Sequence, residues 1–122
     1  MHRVFKTKGF TASAKKGLIT DEELCKALQE VMNGQADDLG GGVWKKRLNK
    51  NRHRSILLAK GRSYWVYQFL FAKQDQANIT QKELAAFKEL AKAYEGLSLK
   101  HVQQLVDQKE FVEICNDQKI QK

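Results

Sequence analysis

The sequence predicts an α+β fold built on a largely antiparallel sheet. Two observations carry that expectation. Helix starts of the same chemistry stand far apart, Thr20 with Glu23 and Thr80 with Glu83. Between them run three strand-like segments, at 43–49, 54–59 and 63–72, with short turns between them. Helices and strands therefore fall in separate runs, which favours hairpin-linked strands over βαβ crossovers.

RVFKTKGF at 3–10 reads as a weak opening strand with Val4 and Phe5 as its apolar pair. A short helix over 10–16 follows and stops at Gly17. Thr20 and Glu23 form a capping box, and Leu24, Leu28, Val31 and Met32 recur at helical spacing, so a helix is predicted over 21–33. Gly34 stands where a left-handed residue closes a helix. ADDLGGG at 36–42 reads as a connector. The third strand segment is apolar on both faces, which predicts a central place in the sheet, and Lys60-Gly61-Arg62 is a hairpin turn in front of it. A second helix starts at the Thr80–Glu83 box, with Ile79 and Leu84 as a hydrophobic staple, and ends at Gly96. Ser98 caps a further helix, EFVEIC at 110–115 is a last short strand, and NDQKIQK is a frayed tail.

The chain of 122 residues contains no proline, no repeat and no linker-like stretch, which predicts one unit over 1–122. Apolar residues make up 42% and charged residues 30%, the balance of a globular protein rather than a disordered one. A net charge of +8 points to a polyanionic partner: nucleic acid, an acidic protein or an anionic surface. The opening MHRVFKTKGF has no apolar signal-peptide core, and WVYQFLFA at 65–72 is too short to span a bilayer, so a cytoplasmic protein is expected. Cys25 and Cys115 lie far apart with no CxxC, and read as reduced thiols. His2, His53 and His101 are scattered, so no metal site is expected.

Charge concentrates in one place. After Gly40-Gly41-Gly42 and Val43-Trp44, the run KKRLNKNRHR holds Lys45, Lys46, Arg47, Lys50, Arg52 and Arg54. Strand alternation puts Val43, Lys45 and Arg47 on one face and Trp44, Lys46 and Leu48 on the other. Arg54 opens the next strand and Lys73 follows the central one, so Lys45, Arg47, Arg54 and Lys73 can converge on one surface. Such a cluster suits a phosphodiester, whose charge it binds and whose transition state it stabilises. Strand lysines that merely protect a sheet edge are the competing reading. Three glycines turn the chain and permit close approach of a ligand or of backbone, without matching any phosphate loop. His53 reads either as a proton carrier or as a solvated turn residue. Tyr64 or Tyr67 stacks on bases if its face is open, and is core otherwise.

LGGGVWKKRLNKNRHRSILLA (39–59), and FAKQDQANIT (71–80) running into KELAAFKELAK (82–92), resemble the RelE-type toxins of bacterial toxin–antitoxin pairs. The likeness extends over roughly 3–115, with FKTKGF and EFVEIC at its ends. The branch it resembles carries a GGG strand motif with KKR and an FAK…NI segment. The resemblance implies a compact microbial-ribonuclease fold: a twisted, mainly antiparallel sheet with two N-terminal helices, here extended by C-terminal helices and a short strand. It implies a metal-independent endoribonuclease without cofactor that cuts mRNA in the ribosomal A site, and a cognate antitoxin that blocks the basic surface. Lys45 and Arg47 match the family's strand cations, Arg54 the arginine on the scissile phosphate, and Lys73 the lysine after the central strand. Lys46, Lys50, Arg52, His53 and Tyr67 are the further residues expected to contact RNA. The sequence departs from the pattern at Gln74-Asp75-Gln76, and it has no clear counterpart of the C-terminal catalytic tyrosine. A ParE-like gyrase poison and a binding module with weakened catalysis are the alternatives on the same fold.

Overall fold

The computed structural model describes residues 3–59 and 64–115. The elements run β1 (Arg3–Thr7), α1 (Lys8–Lys16), α2 (Asp21–Met32), β2 (Asp37–Gly40), β3 (Val43–Leu48), β4 (His53–Leu58), β5 (Tyr64–Ala72), α3 (Gln81–Glu95), α4 (Leu99–Asp107) and β6 (Phe111–Ile114). The strands form one sheet in the order β2-β3-β4-β5-β1-β6. Only β1 against β5 is parallel; the other neighbours are antiparallel. The fold is α+β, and β5 is central as expected. The expected turn at 60–62 and the expected tail from 116 lie outside the described residues.

Local chemistry explains the helix ends. Thr7, Thr20, Thr80 and Ser98 each cap a helix by accepting the N–H three residues on. At α3 the box is complete, because Glu83 Oε1 also accepts the Thr80 N–H at 2.7 Å. At α2 only half of the expected box forms. Glu23 Oε2 instead accepts the N–H of Asn49 at 2.6 Å and ties the helix to the β3–β4 turn. Gly34, with φ 86, closes α2 through Gln35 N–H donating to Glu30 O, the left-handed ending its position predicted.

Both faces of the sheet are covered. Phe10, Leu24, Leu28 and Val31 of α1 and α2 pack on Leu48, Leu57 and Tyr67. On the opposite face α3 covers Val43, Ile56, Leu58 and Phe71. Beside it, Val102 of α4 packs with Phe5, Val66 and Phe111.

Two expectations change. The stretch 36–42 is not wholly connector, for β2 occupies its middle and pairs Asp37 with Lys45 and Asp38 with Trp44. Gly41 and Gly42, with φ 62 and 85, make the two-residue hairpin loop that only left-handed residues close without strain. What comes close to the glycines is protein: a Cβ on Gly41 would lie 2.9 Å from Lys88 Cγ of α3. Cys25 and Cys115 are not separate thiols. They form a disulfide, Cα–Cα 5.6 Å, across a sequence separation of 90. Pairing of β6 with β1 carries Cys115 to the α2 side of the sheet, a proximity that spacing along the chain conceals.

Candidate nucleic-acid interface

Register builds the site. On the α3 face β3 presents Val43, Lys45 and Arg47, opposite Leu58, Ile56 and Arg54 of β4. Val43 is fully buried beneath α3, and Arg47, four residues along, is exposed. The apolar face thus ends in a cationic row, where Arg47 pairs directly with Arg54 and Arg54 with Phe71 of β5. Like charges directly opposite on neighbouring strands destabilise a sheet. Among the described residues, no carboxylate forms an ion pair with either arginine.

Arg54 is only 8% exposed. Its Nη1 donates to the carbonyls of Asn51 and His53 at 3.1 and 3.3 Å. That anchors the guanidinium over the β3–β4 turn, where Asn49, Lys50 and Asn51 all hold positive φ. The Nε and Nη2 donors have no protein partner among the described residues. They are the edge of the fork that matches two phosphate oxygens.

Lys45 shares this face. Its Nζ donates to Asn78 Oδ1 at 3.2 Å and lies 3.8 Å from Asp37 Oδ2. Lys73 is exposed just past the end of β5, and its N–H donates to Arg52 O at 2.9 Å. Asn51, Arg52, His53, Ala72, Lys73 and Gln74 line a pocket of about 500 Å³ at that end of the sheet. Lys50 and Arg52 are exposed on the turn beside it.

Lys46 and Tyr67 fall elsewhere, and His53, though it lines that pocket, turns its ring away from the basic face. Lys46 lies on the α2 face, where Glu30 at 2.8 Å and the Gln35 carbonyl at 3.0 Å hold its ammonium. Register opposite Leu48 turns the His53 ring to that face as well. There His53 Nδ1 is 3.2 Å from Asn49 Nδ2, and the ring packs so close to Gly17 that a Cβ would lie 3.2 Å from Nε2. Tyr67 is a core residue and not a stacking platform. It is wholly buried against Phe10, donates to Leu24 O at 2.7 Å, and its phenol is pushed up by burial first and then by Glu23 and Glu30. Asn78 and Asp37 were missed from the residues alone. For Asn78 the signal was its place in the FAKQDQANIT segment; for Asp37 it was the unrecognised strand β2.

Among the described residues no group of His, Cys, Asp or Glu could hold a metal ion, and no helix is long and apolar enough to cross a membrane. A family model, the RelE toxin of the RelE/RelB toxin–antitoxin system, matches residues 2–114. The chain belongs to the RelE toxin family. No curated protein and no solved structure matches it. Family membership makes it the toxin of a toxin–antitoxin pair and implies an antitoxin partner. The RelE fold is carried here by the sheet and its helices on both faces.

Proposed function

We propose that this RelE toxin is a metal-independent endoribonuclease that cuts mRNA in the ribosomal A site and so stops translation. The observation that carries the reading is the Arg47–Arg54 pair at the open end of a sheet face, with no ion-paired carboxylate among the described residues. A fold keeps opposed, unneutralised cations at a cost, which a bound anion removes.

The reaction rearranges the RNA's own phosphodiester, with solvent carrying the protons. The 2′-hydroxyl gives its proton to water as its oxygen attacks the adjacent phosphorus; the bond to the 5′-oxygen breaks, and that oxygen takes a proton from water. The products are a 2′,3′-cyclic phosphate and a 5′-hydroxyl. Arg54 and Arg47 hold the phosphate oxygens as charge builds on them, and Lys45 lies next to the attacking side. Lys73, Lys50 and Arg52 bind the flanking backbone. Preorganised cations of this kind stabilise the transition state more than the ground state. The toxin works in the cytoplasm, on translating ribosomes, until the antitoxin covers the basic face.

Arg47 is the residue to substitute first, since it is exposed and its side chain makes no hydrogen bond or ion pair among the described residues. In a reconstituted translation reaction, Arg47→Ala is expected to slow mRNA cleavage about 100-fold with an unchanged melting temperature. Arg54→Lys keeps a cation but loses the fork, and is expected to fall by a similar factor. Full activity in both variants would overturn the assignment.

A further inference from the structure

The connector between β5 and α3 carries a residue that the proposed reaction leaves unused. Asn78 is exposed at the rim of the basic face. Its Oδ1 accepts the Ile79 N–H at 2.9 Å and the Lys45 ammonium at 3.2 Å. Two donors on one oxygen fix the amide's orientation, and its Nδ2 has no protein partner among the described residues. The other neighbour of Lys45 is Asp37, 3.8 Å away and 64% exposed, a longer contact weakened by solvent. A lysine stem is flexible, and holding it still costs rotamer entropy. Asn78 meets that cost before any ligand arrives.

We infer that Asn78 is a positioning residue: it fixes the Lys45 ammonium on the Arg47–Arg54 face, so that three cations meet one phosphodiester of single-stranded RNA. The identity of the ligand rests on the RNA-cleavage reading above. An amide suits the task because it orients the ammonium without cancelling its charge. A carboxylate in the same place would hold Lys45 and neutralise it.

The test is a double-mutant cycle read in two ways. The binding probe is a dye-labelled 2′-O-methyl RNA oligonucleotide, which lacks the attacking hydroxyl; the second readout is mRNA cleavage in a translation reaction. Asn78→Ala is expected to weaken probe binding about tenfold, the scale of a hydrogen bond to a charged group. Lys45→Ala is expected to do the same, and the double variant to be no weaker than Lys45→Ala alone. Asn78→Asp keeps both accepting contacts, so it is expected to melt with the wild type yet bind the probe less tightly. Losses that multiply in the double variant, or wild-type binding by Asn78→Ala, would overturn the inference. Intact mRNA with the wild-type protein would instead remove the nuclease reading, while the probe cycle would still decide the role of Asn78.

Discussion

Arg54 and Tyr67 show how much one side chain's surroundings decide. Both lie in strands and both are almost wholly buried, but among the described residues Arg54 keeps an unbonded edge and Tyr67 does not. Tyr67→Phe removes one buried hydrogen bond. It is expected to cost about 1 kcal/mol in a urea melt and to leave RNA affinity unchanged. The tyrosines also set an alkaline limit. Burial first, and then Tyr64, push the Tyr94 phenol from 10.0 up to about 12. The folded state therefore holds this proton more tightly than the unfolded chain does. That stability is fully present below pH 10.0 and is lost as pH rises toward about 12. Urea melts at about pH 9 and about pH 11 are expected to show the loss, and Tyr94→Phe to reduce it. Strand alternation alone separated Lys45 and Arg47 from Lys46 correctly, because parity is a local property of the chain. It could not tell that Tyr67 points into α1 and α2, since both sheet faces are covered and both read as apolar.

At the level of elements, the capping chemistry was legible and the pairing of short polar strands was not. Every cap depends on residues within one helical turn, so sequence sufficed at Thr20, Thr80, Gly34 and Ser98. The half-box at α2 is the exception with a cause: the Asn49 N–H, distant in sequence, takes Glu23. β2 was hidden because Asp37, Asp38 and Gly40 are poor strand formers, and only the glycine hairpin folds them back onto β3. That hairpin is tightly constrained. Gly41→Ala introduces a side chain at φ 62 and 2.9 Å from Lys88 Cγ, and is expected to destabilise the protein by about 1–2 kcal/mol. Lys88→Ala relieves the contact but not the backbone strain, so a melt of the pair is expected to recover only part of the loss. Thr80→Ala, which opens the complete capping box next to Asn78, is expected to cost about 1 kcal/mol.

For the whole molecule, chain topology carries what local sequence could not. A disulfide between residues 90 apart needs α2 and the end of β6 on the same side of the sheet, and no spacing rule reveals that. By loop-closure reasoning such a cross-link stabilises by about 2–4 kcal/mol. The double variant Cys25→Ser, Cys115→Ser is expected to melt lower by that amount and to be insensitive to reductant. Its cleavage activity is expected to be kept, because the cross-link packs with α1 and α2 while Lys45, Arg47 and Arg54 lie on the other face. The family was readable over almost the whole chain: the resemblance runs over roughly 3–115 and the family model matches residues 2–114. The most direct test of the nuclease proposal maps mRNA 5′ ends after the purified toxin is added to a reconstituted bacterial translation reaction. Discrete cuts within codons and new 5′-hydroxyl ends are expected, and Arg47→Ala is expected to slow their appearance about 100-fold. Intact mRNA from a folded wild-type sample would contradict the proposal and would direct attention to DNA gyrase as the target.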